Sequence, residues 1–198
     1  QGIYSCGIGR RLHPKGGWPM RKRIVTTPRG KITLVLATEQ DIPRVVSFLS
    51  TPEIDQSFVP PLSQRNTSIK ERVRNRFLNG FWLLAVRHGN VIGCRGCKGL
   101  VDRHNKVVEF STLAVSSAFR GCGLGGLLLR TAAGIALERY SPLVMKFDSW
   151  VGNTAVEKAA LRVGFIRHRA YDDPSKRPPG VQSVEYILDC SLFVNTKS

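Results

Sequence analysis

Apolar residues alternate or recur with helical spacing along most of the chain, and turn residues separate these runs. The alternating runs predict strands at 31–37, 81–89, 91–102, 106–115, 142–151, 165–172 and 183–193, with one more near 23–26. Helical spacing predicts helices at 38–49, 68–80, 123–140 and 154–163. We expect Asp41 to cap the first helix and Pro43 to lie in its first turn. The strands from 81 to 115 form an antiparallel meander, and the order of elements predicts an α/β fold with a mixed sheet flanked by helices.

Length and composition fit one domain preceded by a basic segment. The 198 residues are 42% hydrophobic, which is enough to bury a core. No acidic residue precedes Glu39, and few apolar repeats occur before Lys31, so we divide the chain into a basic extension, 1–30, and a domain, 31–198. No apolar run approaches the roughly 18 residues that span a bilayer. The charged N-terminus also lacks the apolar centre of a signal peptide. We therefore expect a cytoplasmic protein without membrane contact.

The charge balance indicates an anionic partner. The formal net charge is +16, from 30 Lys and Arg against 14 Asp and Glu. A nucleic acid, an anionic cofactor or an acidic substrate would each be attracted to such a surface. No zinc-finger, helix-turn-helix, RRM or KH signature accompanies the charge. Nucleic-acid binding therefore stays an alternative and is not favoured.

The cysteines predict neither a disulfide framework nor a metal site. The chain has five of them: Cys6, Cys94, Cys97, Cys122 and Cys190. An odd number without a secretory signal argues against a framework of disulfides. Cys94 and Cys97 have the spacing of half a zinc site, but no second pair follows them. We therefore expect ordinary strand cysteines here and no metal.

The stretch FRGCGLGGLLLR, residues 119–130, places glycines between a predicted strand and a predicted helix. The first turn of a helix has unpaired N–H groups at the positive end of the helix dipole, where an anion is stabilised. Glycine lets the backbone approach a phosphate closely, and Arg120 adds charge. The Gly-Lys-Ser/Thr of a Walker loop is absent, and the dinucleotide pattern is only partial. The loop predicts a phosphate site, with a plain turn that packs helices as the alternative.

Two segments carry a resemblance to a known family. LAVSSAFRGCGLGGLLL, residues 113–129, resembles the acetyl-CoA-binding motif of the GNAT superfamily of N-acetyltransferases, with Arg120, Gly123 and Gly125 in the motif positions. NTAVEKAALRVGF, residues 153–165, resembles the second motif of that family. The order of elements is similar over about 31–193.

The resemblance implies acetyl-CoA as acyl donor, bound to a mostly antiparallel sheet with splayed strands at the cofactor site. It implies that N–H groups of 121–126 hold the pyrophosphate and that the strand end at 113–115 pairs with the pantetheine arm and polarises the thioester carbonyl. The residues implied to contact the cofactor are Leu113, Ala114, Val115, Arg120, Gly121, Cys122, Gly123, Leu124, Gly125, Gly126 and Asn153. Asn153 is equally suited to cap the helix that follows it.

The reaction needs a base for the amine and a partner for the leaving thiolate. Glu109 lies where some members of the family carry a catalytic glutamate, and it is the candidate general base. A solvent-facing or ion-paired strand residue is the alternative. Ala160 stands where many members have a tyrosine, which keeps a non-catalytic acyl-CoA sensor open. The acceptor, an amine on a small molecule or a peptide, would lie between 50–80 and 173–182. A homodimer is left open.

Overall fold

The computed structural model describes residues 22–191, which form one eight-stranded sheet with helices on both faces. The strands are β1 (Lys22–Thr27), β2 (Gly30–Leu36), β3 (Phe81–Arg87), β4 (Asn90–Asp102), β5 (Val107–Val115), β6 (Val144–Trp150), β7 (Ile166–Tyr171) and β8 (Ser183–Asp189). The helices are α1 (Ile42–Leu49), α2 (Pro52–Asp55), α3 (Ile69–Asn79), α4 (Leu124–Tyr140) and α5 (Thr154–Val163). Between residues 22 and 191, no helix combines the length and the apolar character needed to cross a lipid bilayer.

The sheet is mostly antiparallel. Its strand order is β1-β2-β3-β4-β5-β6-β8-β7, and only the neighbours β5 and β6 are parallel. The meander of β3, β4 and β5 is confirmed. Helix α4 provides the crossover that a parallel pair requires. The predicted mixed α/β fold, with helices flanking a mostly antiparallel sheet, is confirmed.

Strands β5 and β6 pair over only a short length and then part. Residues 107–109 of β5 pair with residues 144–146 of β6, Glu109 lying opposite Lys146 at the end of this pairing. Beyond that point β5 continues to Val115 and β6 to Trp150 without pairing to each other. The predicted splay is confirmed, and we call the space between the two diverging strands the splay.

The sheet separates two cores. Helices α4 and α5 cover one face, where Phe147 packs against Phe165 with ring centroids 5.1 Å apart. Helices α1 and α3 cover the other face around Trp82, whose indole N–H donates to the carbonyl of Val73 at 3.1 Å. We call these the α4 face and the α3 face. Burial of apolar side chains on both faces fixes the position of β5 in the interior of the sheet.

A bulge in β5 changes which side chains point to each face. Ser111 and Leu113 lie opposite two consecutive residues of β4, which leaves Thr112 as an extra residue. Phe110 before the bulge and Leu113 after it both pack on the α4 face. Ala114 then packs into the core of the α3 face. The bulge therefore reorients the strand end at 113–115.

The strand predicted near 23–26 is present as β1, which pairs with β2, while residues 1–21 lie outside the described residues. Two features of the first third of the described chain differ from the sequence predictions. Asp41 occupies the N-cap position of α1, but its carboxylate accepts from the N–H of Thr38 at 3.0 Å instead of capping α1. The short helix α2, which begins at Pro52, was not predicted.

Candidate active site

The glycine loop connects the end of β5 to the start of α4. A 3₁₀ turn, Ser117–Phe119, follows β5, and α4 begins at Leu124. Gly121 and Gly123 have φ angles of +75° and +82°, a left-handed conformation that side chains with a Cβ rarely adopt. A Cβ at either glycine would meet no protein atom within 4 Å. The backbone conformation thus requires glycine, and the space in front of the loop is open.

The N-terminus of α4 presents backbone donors to this open space. Gly123 is the N-cap, and its carbonyl accepts from the N–H of Leu127 at 3.0 Å. Helix geometry leaves the N–H groups of 124–126 without partners inside the helix. They lie at the positive end of the dipole of a helix 17 residues long. The loop therefore has the geometry of an anion site, such as one for a phosphate group.

Some residues of the loop also serve packing. Leu124 is buried in the core of the α4 face, so only its backbone faces the loop. A Cβ built on Gly126 would lie 4.0 Å from the Cβ of Ala159 on α5, and one on Gly125 would lie 3.9 Å from the side chain of Leu113. Both distances are ordinary van der Waals contacts, so alanine would fit at 125 or 126 and packing does not require glycine at either position.

Arg120 braces the end of β5. Its Nε donates to the carbonyl of Val115 at 2.9 Å, and its guanidinium lies 3.8 Å from the carboxylate of Glu53 on α2. Glu53 also accepts a hydrogen bond from the N–H of Ser117. The half-buried Cys122 donates from Sγ to the carbonyl of Phe119 at 2.9 Å. Arg120 is therefore held against the loop, and its neighbour Glu53 was not predicted from any sequence pattern.

The end of β5 has one free edge. Leu113, Ala114 and Val115 pair with β4 on one side. On the other side β6 has already diverged, so no strand of the described residues 22–191 covers the backbone groups there. An uncovered strand edge can pair with an extended chain. The splay therefore offers backbone hydrogen bonds to an extended ligand arm.

Glu109 lies where the splay begins, and its side chain is on the α3 face. The ammonium of Lys98 on β4 contacts its Oε1 in an ion pair, and the side chain of Glu109 is 17% exposed. Two residues further along β5, Ser111 Oγ accepts from Nε of Arg76 on α3 at 3.0 Å. Lys98 and Arg76 were not singled out from the sequence. The ion pair joins β4 to β5, whose register shifts between Cys97 and Leu100, so counting back from the turn does not identify Lys98.

Asn153 and Ala160 lie on α5, beside β6. The side chain of Asn153 accepts from the N–H of Val156 at 3.3 Å and donates to Ser149 Oγ at 3.1 Å. It therefore caps α5 and ties it to β6. Ala160 is fully buried in the core of the α4 face and brings no hydroxyl to the site.

A cavity lies between the two regions that the sequence assigns to the acceptor. Its volume is about 290 Å³, and it is lined by Val59, Trp150, Val151, Gly180, Val181 and Gln182. The first of these residues follows α2, the next two are at the end of β6, and the last three belong to the predicted loop 173–182. The cavity therefore opens near the end of β6 that borders the splay.

Two arginines border this cavity. Arg65 donates from Nη2 to the carbonyl of Pro60 at 3.2 Å, and Arg177 donates to the adjacent carbonyl of Val59. Burial, together with repulsion from Arg72, lowers the pKa of Arg65 to about 10. Burial also lowers the pKa of Arg177. Two partly buried guanidinium groups therefore lie beside this cavity.

The pair Cys94 and Cys97 does not form half of a metal site. Cys94 packs in the core of the α3 face and Cys97 in that of the α4 face, so the two thiols point to opposite sides of β4. Within residues 22–191, no group of three or more His, Cys, Asp or Glu residues is arranged to hold a metal ion.

The fold and the loop are those of a known family. The sequence matches the model of the acetyltransferase (GNAT) family over residues 50–165, more than half of the chain. The chain belongs to this family, whose members take an acetyl group from acetyl-CoA. A comparison with curated protein sequences gives no significant match.

Three solved structures illustrate the likeness. The GNAT domain of S. lividans PAT is 20% identical, with a TM-score of 0.64 over 84% of this chain and 97% of that one. RimL, a ribosomal L7/L12 alpha-N-protein acetyltransferase in complex with coenzyme A, is 15% identical, with a TM-score of 0.65 over 85% and 99%. The yncA protein of Salmonella typhimurium, with acetyl-CoA, is 21% identical, with a TM-score of 0.60 over 80% and 94%. At these identities the likeness concerns the fold.

Proposed function

We propose that the protein transfers an acetyl group from acetyl-CoA to a primary amine, with Glu109 as general base. One observation carries this proposal. Strands β5 and β6 part at Glu109, and β5 then leads directly to a helix N-terminus suited to phosphate. The carboxylate of Glu109, the uncovered edge at 113–115 and the anion site at the start of α4 thus follow one another along the chain.

The backbone carries most of the cofactor binding in this proposal. N–H groups of 121–126 hold the pyrophosphate, and the free edge at 113–115 pairs with the pantetheine arm. Acetyl-CoA, when bound, supplies the acetyl group as a thioester. A backbone N–H of β5 polarises its carbonyl, which is why apolar side chains suffice there. Asn153 contributes by fixing the start of α5 beside β6.

The proton chemistry falls to groups on the α3 face. The carboxylate of Glu109 accepts the amine proton, directly or through a water molecule. Lys98 holds this carboxylate in place through their ion pair. Since Ala160 is buried and has no ionisable group, another donor or water protonates the leaving thiolate.

The acceptor enters from the side of the cavity near Trp150. The arginines beside this cavity disfavour polycationic amines, because like charges repel. A small amine or a peptide amine remains in the proposal. Cytoplasmic location and a homodimer stay predictions; the free thiols of the described cysteines agree with a reducing compartment.

The experiment that tests the proposal measures thiol release from acetyl-CoA against a panel of amines. The panel contains amino acids, peptides with free N-termini, lysine side-chain analogues, polyamines and aminoglycosides. We expect release that depends on an amine, that is strongly reduced in Glu109→Gln, and that is absent in Gly123→Glu. Acetyl-CoA binding without amine-dependent thiol release would instead favour the non-catalytic acyl-CoA sensor. The buried Ala160, which offers no acid for the thiolate, supports that alternative.

A further inference from the structure

A buried guanidinium lies at the inner end of the splay, and two of its nitrogens have no hydrogen-bond partner within residues 22–191. Arg95 on β4 is 2% exposed, and the two nitrogens are its buried Nε and Nη2. Buried polar groups in native proteins are almost always paired, and a buried charge without a partner is costly. This pair of nitrogens therefore calls for a ligand.

The position of Arg95 relates it to the acyl donor. It lies opposite Leu113 in the β4–β5 pairing, and Leu113 belongs to the free strand edge described above. Its guanidinium carbon is 5.2 Å from the ring centroid of Phe110 on β5 and 4.7 Å from that of Phe147 on β6. These two phenylalanines directly follow Glu109 and Lys146, the last paired residues of the two strands. The guanidinium thus lies over the point where the strands part.

The two unpaired nitrogens define the chemistry of the ligand. In a guanidinium, the N–H of Nε and one N–H of Nη2 run parallel along one edge, and this edge binds the two oxygens of a carboxylate. The rings of Phe110 and Phe147 supply no conventional hydrogen-bond acceptor, so their contacts with the guanidinium leave this edge unsatisfied. Burial lowers the pKa of Arg95 to about 9, which reflects the cost of the uncompensated charge.

The face of the sheet on which Arg95 lies indicates whether the acyl donor or the amine acceptor supplies the carboxylate. Arg95 reaches the α4 face, where Phe110 and Phe147 lie. Glu109, at which the acceptor amine is proposed to react, lies on the α3 face, as does the contact of Ser111 with Arg76. A carboxylate on the acceptor would therefore be on the opposite side of β5 from Arg95.

We propose that Arg95 selects an acyl-CoA whose acyl group ends in a carboxylate, such as malonyl-CoA or succinyl-CoA. This inference rests on the proposed binding of acyl-CoA at the glycine loop and in the splay, and it extends the range of donors beyond acetyl-CoA. The carboxylate pairs with the Nε and Nη2 edge of Arg95.

Binding of matched acyl-CoA pairs to the full chain tests the proposal without any acceptor. Isovaleryl-CoA has the shape of malonyl-CoA with two methyl groups in place of the carboxylate oxygens, and 4-methylpentanoyl-CoA matches succinyl-CoA in the same way. Isothermal titration at neutral pH should show at least one carboxylate-bearing member binding about 10- to 100-fold more tightly than its apolar match, as for a hydrogen bond between charged groups. Equal affinities within both pairs would overturn the proposal.

Two variants assign the preference to the guanidinium. Arg95→Met keeps an unbranched apolar side chain and should abolish the preference, while the affinity for free coenzyme A stays unchanged. Arg95→Lys keeps the charge but not the two parallel N–H donors, and it should retain only part of the preference for the carboxylate-bearing acyl-CoA. An Arg95→Met protein that loses affinity for free coenzyme A and all acyl-CoAs alike would contradict the assignment. The wild-type comparison stands even if a variant fails to fold, and absence of acetyl-CoA binding to wild type would refute the proposed function instead.

Discussion

Gly123→Glu should abolish acetyl-CoA binding at a cost in stability that a control variant reproduces. Gly123 has a φ of +82°, and Gly89 in the turn between β3 and β4 has a φ of +79°. A Cβ at either position meets no protein atom within 4 Å, so strain of the left-handed backbone is the shared cost, roughly 1–2 kcal/mol. In a protein of this size 1 kcal/mol shifts Tm by about 2–4 °C. Gly123→Glu and Gly89→Glu should therefore each lower Tm by about 2–8 °C without ligand.

The ligand separates the two variants. At 100 times its Kd, acetyl-CoA should stabilise the wild type by about 2.7 kcal/mol, or about 5–11 °C. Gly89→Glu should show the same increase in Tm. Gly123→Glu should show none, because its carboxylate lies beside the N–H groups proposed to hold the pyrophosphate. Differential scanning fluorimetry measures all of these values. A folded Gly123→Glu protein with the full increase would refute the assignment of the loop.

Three further outcomes are expected. Glu109→Gln should bind acetyl-CoA normally but transfer the acetyl group about 10²–10⁴-fold more slowly, and this deficit should shrink at high pH, where more of the amine is neutral. A Glu109→Gln protein with the wild-type rate across the pH range would show that Glu109 has a structural role. Iodoacetamide at pH 8 should label Cys122 before the other described cysteines, because burial raises the pKa of Cys94 to about 12 and that of Cys97 to about 11. Acetyl-CoA should protect Cys122 from labelling, and peptide mapping measures both effects. Removal of residues 1–21 should leave acetyl-CoA binding intact, and a folded truncated protein that no longer binds acetyl-CoA would show that this expectation is wrong. If filter binding shows that the truncation abolishes salt-sensitive binding of nucleic acid, the basic segment has a separate role.

The elements of the fold were predictable because most strands and helices have a clear period. The sequence around Gly123 has a strand, a loop of glycines and an apolar helix in succession, and the structure has the same succession. Local chemistry also predicted Asn153 as a helix cap, which its bond with the N–H of Val156 confirms. These features depend on neighbours within a few residues.

Contacts between distant segments were not predictable in the same way. Glu53 meets the N–H of Ser117 across 64 residues, and the helix that carries it is only four residues long. The burial of Arg95 depends on the bulge at Thr112 and on where β5 and β6 part, and neither leaves a period in the sequence. The carboxylate of Asp41 accepts from the N–H of Thr38, and propensity alone does not distinguish this bond from a cap on α1.

A crystal structure of the protein with acetyl-CoA would test the central claim most directly. The account predicts pyrophosphate oxygens about 2.7–3.2 Å from N–H groups of residues 121–126. It also predicts the pantetheine arm along the free edge of β5 at 113–115, with the thioester on the path that ends at Glu109. Acetyl-CoA bound elsewhere, with the splay between β5 and β6 filled by side chains, would contradict the account.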